Sequence, residues 1–281
     1  MSDAAPPKLW TPSRERIERA QLTTFAREHG LPEDYGELWR WSVDDIERFW
    51  ALIWSHFGVS GGYEEVLADR SMPGARWFPG AAVNYAGHAF ADRDPDAVAI
   101  RHASELRGLE TCTWGELAGE TARIRAGLAA LGVGPGDRVA AYLPNVLETI
   151  PAFFATASLG AIWSSAAPEF GARSVVDRFA QIRPKVLLAV DGYRYGGRDF
   201  DRSDSVAEIA AEIPGLERTV RLGYLDGSGW EPGFLGPGDA ALEFAELPFD
   251  HPLWVLYSSG TTGLPKPIVH GHGGMLLEHL K

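Results

Sequence analysis

The chain has a single cysteine, Cys112, among its 281 residues. One cysteine cannot form a disulfide within the chain and cannot supply a cysteine metal cluster. A lone thiol is typical of a reducing compartment, so the composition favours a cytoplasmic location. The sequence also lacks any apolar stretch near the roughly 18 residues that a membrane-spanning helix needs, so no membrane association is predicted.

Positive charge is also scarce. The chain has 26 Lys and Arg against 38 Asp and Glu, a formal net charge of −12, which argues against non-specific binding to nucleic acid. A small anionic substrate is still allowed, because a local basic loop can hold it. Two catalytic motifs are missing: the Gly-x-Ser-x-Gly elbow of hydrolases and the Gly-x-Gly-x-x-Gly that follows a strand in dinucleotide enzymes.

The first part of the chain, up to about residue 85, is rich in Trp, Arg and Glu and is predicted to be helical and irregular. Ser42 is predicted to cap a helix, with Asp45 at its third position. Apolar residues then recur at helical spacing as far as Phe57, which favours core packing over a binding role. Gly58 is expected to end the helix.

From about Ala97 the pattern changes to strands that alternate with helices, which predicts an α/β fold with a largely parallel sheet. Thr113 and Glu116 form a capping box before one helix. Asn145 with Glu148 forms a weaker capping pattern before the next. Ligands bind at the carboxyl ends of the strands in such sheets, so that edge is where a site is expected.

The most informative stretch is residues 257–266, which follow an apolar run predicted as a buried strand. Gly260 and Gly263 allow positive φ angles and a close approach of the backbone to a ligand, and Lys266 adds a point charge that suits phosphate. Four hydroxyl groups are further donors, those of Ser258, Ser259, Thr261 and Thr262. The spacing is not that of a Walker A loop. It predicts polyphosphate binding, with a polar surface turn as the alternative.

Three histidines near the end of the chain, His270, His272 and His279, resemble metal ligands at first sight. The His-Gly-His spacing is short for two ligands, and no third ligand clusters with them in the sequence. No metal site is therefore predicted.

Two clusters of arginines elsewhere in the sequence can be explained as solvated surface. Arg194 and Arg198 follow a predicted strand end, where the residues alone favour a solvated basic loop. Arg173, Asp177 and Arg178 have helical spacing, which favours a solvated helix face.

Residues 259–263 and Lys266 match, position by position, the phosphate-binding signature of the acyl-adenylate-forming (AMP-binding) superfamily, which the chain resembles. Pro267 departs from the Gly or Ala that is commoner there, and it removes one backbone N–H from the segment. Further segments are similar to the acetyl- and acetoacetyl-CoA synthetase branch of that superfamily: residues 38–42, 77–80, 84–86, 163–171, 192–198, 249–254 and 269–274.

The resemblance implies an α/β fold of the adenylate-forming type, in which layered sheets pack against helices. It divides the chain into a helical N-terminal region, residues 1–90, that wraps the main domain, and the first part of the adenylating domain, residues 91–281. In the family the rest of that domain and a C-terminal lid domain follow. We therefore expect the chain to be an N-terminal piece, inactive alone and poorly soluble because its sheet is incomplete.

The implied activity is that of an ATP-dependent ligase that joins acetoacetate to CoA through an acyl-adenylate. Its partners would be small molecules, namely acetoacetate, ATP and CoA. Mg²⁺ would be the cofactor, with its ligand beyond Lys281. Two alternatives stay open. One is a ligase for acetate, propionate or another acid, and the other is a remnant that binds nucleotide or CoA without catalysis.

The resemblance also implies roles for individual residues. The ATP phosphates would be gripped by Ser258, Ser259, Gly260, Thr261, Thr262 and Gly263. Lys266 would hold the charge of the leaving pyrophosphate. Arg194 and Arg198 would hold the 3′-phosphate of CoA, and His270 and His272 would wall the nucleotide and acyl pocket.

Overall fold

The computed structural model describes residues 8–258 and 263–281 of the chain. Two compact units are present, one of Met1–Val59 with Leu280–Lys281 and the other of Ser60–His279. The first unit ends at Val59, before the domain boundary expected near residue 90. The boundary near residue 90 stays a prediction.

The first unit is helical. Its helices are α1 (Arg14–Glu18), α2 (Gln21–Glu28), α3 (Tyr35–Asp44) and α4 (Ile46–His56). Ile53 and Trp54 of α4 are buried, as expected for core packing, and Gly58 follows the helix with a φ of +61°.

The predicted cap at Ser42 is wrong. Ser42 lies inside α3, and its hydroxyl donates to the carbonyl oxygen of Trp39 at 2.8 Å. Asp34 caps α3 by accepting the N–H of Glu37 at 3.0 Å. A single residue, Asp45, separates α3 from α4. The cap was misplaced because polar residues that suit a cap also occur on the exposed side of a helix.

The second unit is built on a seven-stranded sheet in the order β12-β11-β8-β6-β7-β14-β15. The five inner strands run parallel, whereas β12 and β15 run antiparallel to their neighbours. The sheet strands are β6 (Arg138–Tyr142), β7 (Ile162–Ala166), β8 (Val186–Val190), β11 (Arg218–Gly223), β12 (Gly229–Trp230), β14 (Pro252–Ser258) and β15 (Lys266–Gly271). All five residues of β8 are buried, as is typical of a parallel strand with helices on both faces.

Helices cover both faces of this sheet. They are α5 (Tyr85–Phe90), α6 (Trp114–Ala130), α7 (Thr149–Ser158), α8 (Ala172–Ile182), α9 (Ser203–Glu212) and α10 (His272–Leu280). Alternate residues of β6 serve the two faces. Val139 packs in the cluster that holds Ile124 of α6, and Ala140 packs in the cluster that holds Phe179 of α8. This period of two is what a strand covered on both faces requires.

Short strands form four two-stranded sheets, β1–β2, β3–β13, β4–β5 and β9–β10. Their bounds are β1 (Leu67–Asp69), β2 (Arg76–Trp77), β3 (Ala82–Val83), β4 (Val98–His102), β5 (Glu110–Thr113), β9 (Gly192–Tyr195), β10 (Arg198–Asp201) and β13 (Leu247–Pro248). Within the described residues, no helix combines the length and apolar character that crossing a membrane demands.

The capping box before α6 is confirmed. Thr113 Oγ1 accepts the N–H of Glu116 at 3.2 Å, and the Glu116 carboxylate accepts the N–H of Thr113 at 2.8 Å. The weaker pattern at Asn145 is wrong, because α7 begins at Thr149 after Glu148, which makes no side-chain cap. The Glu148 carboxylate instead binds Arg107 at 2.7 Å, and this ion pair removes it from any capping role.

Candidate functional site at the carboxyl edge of the sheet

The predicted phosphate-binding stretch lies in the sequence between β14 and β15, and β14 ends with Ser258 at the carboxyl edge of the parallel strands. Ser258 and Lys266 are paired in register across these two strands, so their side chains start from the same face of the sheet. Gly263 has a φ of +105°, a conformation that favours glycine. Ser259, Gly260, Thr261 and Thr262 lie outside the described residues.

Helix α8 holds both flanks of the 258–266 segment. On the β14 side, the Tyr257 hydroxyl donates to the carbonyl oxygen of Arg178 at 2.8 Å. On the β15 side, Gln181 Nε2 donates to the carbonyl oxygen of Pro265 at 2.9 Å. Burial raises the pKa of Tyr257 to about 12, so the hydroxyl keeps its proton and remains a donor at neutral pH.

A groove of about 640 Å³ lies beside this segment, with Gly263 and Pro265 on one side and α8 on the other. That volume is in the range of small-molecule sites. The Arg178 guanidinium donates to Ser174 Oγ at 2.5 Å and lies 5.0 Å from the centroid of the Phe170 ring. One cation of the groove is thus held in a defined position.

The first turn of α8 also faces this groove, which includes Gly171, Ala172 and Arg173. The helix begins after Gly171 without a side-chain cap, and uncapped N–H groups at a helix start favour anions. Arg173 is exposed, as the sequence predicted for a solvated face, and pairs with Asp177 at 3.0 Å. The sequence pattern did not reveal that this face borders the same groove as Gly263 and Pro265.

The three C-terminal histidines have separate environments. His270 lies opposite Trp254 in the β14–β15 register. His272 is fully buried, and its Nδ1 accepts the N–H of Tyr85 at 3.1 Å. His279 Nδ1 lies 2.8 Å from the hydroxyl of Tyr85. Within the described residues, none of these three histidines belongs to a cluster of three or more side chains that could bind one metal ion.

Burial lowers the pKa of His272 to about 3, with a smaller contribution from nearby His251. The ring is therefore neutral at physiological pH, with Nδ1 free to accept the Tyr85 N–H. His272 fixes the start of α10 against α5, so its visible role is to position the helix that follows β15.

The stretch around Arg194 is a β-hairpin, which corrects the expected basic loop. Gly196 and Gly197, the two residues between β9 and β10, have φ angles of +59° and +73°, as a tight two-residue hairpin turn needs. Arg194 pairs with Asp199 through two bonds of 2.6 and 3.0 Å. Arg198 faces Tyr195 in the register, so Arg194 and Arg198 project from opposite faces of the hairpin.

The tip of this hairpin is already bound to a carboxylate. The two oxygens of Glu105 accept the N–H groups of Gly196 and Gly197, each at 2.7 Å. These two bonds lower the pKa of Glu105, which is therefore ionised at neutral pH. A pair of N–H groups that binds a carboxylate in this way is an anion-binding geometry.

The loop that carries Glu105 is held by its neighbours. Tyr224 donates from its hydroxyl to Ser104 Oγ at 2.5 Å, and Arg107 lies 4.7 Å from the centroid of the Tyr224 ring. Arg107 also forms the ion pair with Glu148. Sequence reasoning missed Glu105, because the residues it binds are 91 and 92 positions away and no local pattern joins them.

Two family models match consecutive parts of the chain. The model described as acetyl-coenzyme A synthetase N-terminus matches residues 35–89, and the model described as AMP-binding enzyme matches residues 88–280, more than half of the chain. The chain belongs to the AMP-binding enzyme family. The resemblance drawn from residues 259–263 and Lys266 is thereby confirmed at the level of the family.

Relatives of this AMP-binding enzyme chain share sequence along most of its length. The acetoacetyl-CoA synthetase of Danio rerio is 38% identical over 97% of this chain. The acetoacetyl-coenzyme A synthetase of Rhizobium meliloti is 40% identical over the same share. The chain spans 44% of the length of each of these relatives.

A solved structure has the same fold. The acetoacetyl-CoA synthetase from Streptomyces lividans is 48% identical, with a TM-score of 0.92 over 98% of this chain and 45% of that one. The prediction of an α/β fold of the adenylate-forming type is therefore confirmed for this member of the AMP-binding enzyme family.

Proposed function

We propose that this chain contributes the ATP-binding part of a ligase that activates acetoacetate and transfers it to CoA. The similarity to acetoacetyl-CoA synthetases along almost the whole chain supports this reaction. The chain spans 44% of the length of those relatives. We therefore propose the complete ligase activity only for a protein of the full length of these relatives. For this chain we propose nucleotide binding.

The observation that carries the proposal is the pairing of Ser258 with Lys266 at the carboxyl edge of the sheet, beside an α8 groove with two arginines. The β- and γ-phosphates would be bound by Ser258, Ser259, Gly260, Thr261, Thr262 and Gly263. Lys266 would neutralise the charge that develops on the pyrophosphate. The hydrogen bonds made by Tyr257 and Gln181 attach both ends of the 258–266 segment to α8. Such attachment supports the proposed phosphate binding, because a site that is held in place before the reaction needs little reorganisation.

The proposed chemistry has two steps. A carboxylate oxygen of acetoacetate attacks the α-phosphorus of ATP, and the bond from that phosphorus to the bridging oxygen of pyrophosphate breaks with its electrons on pyrophosphate. The thiolate of CoA then attacks the acyl carbon, and AMP leaves. Positioning and charge neutralisation dominate phosphoryl-group chemistry of this kind.

The described residues do not fit a Mg²⁺ site. The carboxylates along the groove are Asp177 and Glu208, and Asp177 is paired with Arg173 at 3.0 Å. Mg²⁺ binds through carboxylates and substrate phosphates in octahedral geometry. We therefore assign no ligand to it in this chain and derive no step through it.

For CoA we propose that the β9–β10 hairpin receives the 3′-phosphate. Arg194 is exposed there, and the N–H groups of Gly196 and Gly197 suit an anion. The strand register places Arg198 and Arg194 on opposite faces of the hairpin. We therefore propose that Arg194 and the two N–H groups make the main contacts with the phosphate. His270 and His272 stay proposed for the pocket side of β15 and α10, His272 as a buried positioning residue.

The acid substrate has more than one candidate. A malonamoyl-CoA synthetase of Penicillium aethiopicum is 36% identical over 88% of this chain, so this branch also contains proteins named for another acid. Acetate and propionate remain the other candidates. The lone cysteine Cys112 supports the proposed cytoplasmic location.

ATP–pyrophosphate exchange tests the ligase proposal. The 281-residue chain and the complete Rhizobium meliloti relative are each incubated with labelled pyrophosphate and one of five acids: acetoacetate, malonamate, acetate, propionate or 3-hydroxybutyrate. Exchange by the relative with acetoacetate shows that the assay works. A chimaera of this chain joined to the remaining part of the relative should exchange best with acetoacetate, and a preference for another acid would overturn that assignment.

Calorimetry with ATP and AMP tests the part assigned to the chain itself. We expect ATP to bind more tightly than AMP, since only ATP has the phosphates that the 258–266 segment would contact. A second candidate is a chain that binds nucleotide without any part in ligation. Tight ATP binding with a chimaera that is folded and inactive would support that candidate.

A further inference from the structure

Three possible metal ligands converge in the first unit, far along the sequence from the phosphate segment. Glu28 is the last residue of α2, His29 follows it, and His56 is the last residue of α4. His29 Nε2 lies 3.3 Å from His56 Nδ1, and His56 Nδ1 lies 3.5 Å from Glu28 Oε2. The three ligand atoms all lie within 4.8 Å of one another.

Two of these separations match the edges of a tetrahedral metal site. Zinc binds imidazole nitrogen at about 2.0–2.1 Å and carboxylate oxygen at about 2.0–2.2 Å, and tetrahedral angles then place neighbouring ligand atoms about 3.3–3.5 Å apart. Two of the three separations have these values. The side chains therefore need only small movements to bind one ion together.

His29 and His56 are already hydrogen-bond partners, and the Glu28 carboxylate lies beside them. His56 Nδ1 lies near both a second imidazole nitrogen and a carboxylate oxygen. If His56 Nδ1 has no proton, it can accept the N–H of His29 Nε2, and it then offers no proton to the Glu28 carboxylate. If it has one, a single N–H is shared between two acceptors. A divalent cation would satisfy the lone pairs of all three groups at once.

The surroundings hold both rings and favour positive charge. Phe25 contacts His29 and His56, with ring centroids 4.8 and 5.0 Å away, so the two imidazoles are packed rather than free to rotate. Helices α2 and α4 both end at the cluster, and a helix C-terminus carries partial negative charge. The neighbouring cation, Arg27, is paired with Glu33 through bonds of 2.9 and 2.8 Å.

We propose that Glu28, His29 and His56 bind one divalent transition-metal ion, with Zn²⁺ as the preferred ion, and that the ion links the end of α2 to the end of α4. Two imidazoles and one carboxylate are a ligand set that suits Zn²⁺, and also Co²⁺ or Ni²⁺, better than Mg²⁺ or Ca²⁺. Because Glu28 is exposed, a solvent molecule can supply the fourth ligand.

The test uses the complete 281-residue chain after treatment with a chelator. Zn²⁺ is titrated by calorimetry, Co²⁺ is added to look for the visible absorption of a tetrahedral site, and thermal unfolding is followed with and without Zn²⁺. We expect one ion per chain, a tetrahedral cobalt spectrum and a melting temperature that rises with the Zn²⁺ concentration.

Three variants locate the site, and one controls for it. His29→Gln and His56→Gln should lose the cobalt spectrum and weaken Zn²⁺ binding at least tenfold. Glu28→Gln should weaken binding with little effect on folding, because this side chain is exposed. His102→Gln is the matched control, since His102 lies 3.6 Å from the Glu110 carboxylate in the other unit and is outside the proposed ligand set.

The proposal is overturned if the wild-type chain takes up no Zn²⁺ at micromolar concentrations. It is equally overturned if Glu28→Gln and His56→Gln bind as well as the wild type, or if His102→Gln reduces binding as much as they do. Each of these outcomes can be read from metal stoichiometry and spectra, without any assay of ligase activity.

Discussion

Gln181 of α8 donates a hydrogen bond to the carbonyl oxygen of Pro265 at 2.9 Å, across 84 residues of sequence. Together with the bond from Tyr257 to Arg178, it attaches one helix to both sides of the 258–266 segment. The helix also contributes Arg173 and Arg178 to the adjacent groove. Residues that touch no phosphate can therefore affect how this segment meets one.

Gln181→Ala should weaken ATP binding about two- to threefold, because an exposed hydrogen bond of this kind contributes at the low end of roughly 0.5–1.5 kcal/mol. Calorimetry with ATP measures the change. Gln21→Ala, which alters an exposed glutamine of α2, is the control and should bind ATP as the wild type does. A wild-type affinity in Gln181→Ala would show that the bond does not position the segment.

Lys266→Ala should weaken ATP binding by roughly 10- to 100-fold, which corresponds to about 1.5–3 kcal/mol for a bond to a charged group. Lys266 is exposed at the start of β15, so the midpoint of urea unfolding should stay unchanged. AMP binding should also stay unchanged, because AMP lacks the β- and γ-phosphates. Equal losses for ATP and AMP would mean that Lys266 contacts another part of the nucleotide.

Glu105→Ala should strengthen CoA binding several-fold if the 3′-phosphate binds at the hairpin tip. The substitution removes the carboxylate that now accepts the N–H groups of Gly196 and Gly197, so a phosphate would no longer have to displace it. The measurement is calorimetry with CoA and with dephospho-CoA, which lacks this phosphate. Glu110→Ala, on the strand that follows the Glu105 loop, is the control.

The outcome for dephospho-CoA decides the interpretation. A gain for CoA alone supports a phosphate site at the hairpin. An equal gain for both ligands would indicate that Glu105 acts on some other part of CoA, and an unchanged affinity for both would place the 3′-phosphate elsewhere.

Gly273→Ala and Gly274→Ala should have opposite effects, although the two glycines are neighbours at the start of α10. A Cβ on Gly273 would collide with the Phe249 ring, whereas a Cβ on Gly274 would meet no atom within 4 Å. We expect Gly273→Ala to lower the free energy of unfolding by about 1–3 kcal/mol. Gly274→Ala should be neutral or stabilising by up to about 1 kcal/mol. Urea unfolding of both variants provides the comparison, and equal stabilities would contradict the packing described for Phe249.

His272 should make the chain less stable in acid. Its pKa is about 3 in the folded chain against about 6.5 when unfolded, so the unfolded state binds the proton more tightly. The contribution of neutral, buried His272 to the free energy of unfolding is fully present above pH 6.5. It is lost progressively as the pH falls towards 3. Between pH 7 and pH 5 the loss from this one group is about 2 kcal/mol.

His272→Asn isolates that contribution. Urea unfolding at pH 7 and pH 5 should show a stability difference about 2 kcal/mol smaller in this variant than in the wild type. His102→Asn, which changes a histidine on β4, should retain the wild-type difference. An unchanged difference in His272→Asn would show that other groups cause the acid sensitivity.

Several local features were predictable because their causes act within a few residues. The capping box of Thr113 and Glu116 needs only two side chains and the backbone between them. The helical spacing of Arg173, Asp177 and Arg178 likewise indicated part of α8, because that spacing is a local pattern. Ser42 and Asn145 show the limit of this reasoning. Ser42 lies inside a helix that continues past it, and the helix after Asn145 begins only at Thr149, so neither residue caps a helix.

The place of β14 and Ser258 at the sheet edge could also be predicted, for a reason that combines pattern and topology, whereas phosphate binding by the segment that follows stays a proposal. An apolar run leads into residues 258–266, and strands that alternate with helices bring their carboxyl ends to one edge. The partners of the segment were not predictable. Nothing in the spacing of α8 shows that Gln181 and Arg178 border Pro265 and Tyr257 rather than solvent.

By itself, the amino-acid sequence determined the α/β alternation and the family, and it singled out the stretch that we propose to bind phosphate, because hydrophobic period, glycine placement and motif spacing are local properties. Only the tertiary structure decided that Glu105 binds the tip of the β9–β10 hairpin and that His29 meets His56. Those contacts depend on the order of strands in a sheet and on how helices pack. Such distances between residues far apart in sequence arise from the packing of the whole chain, which short segments do not specify.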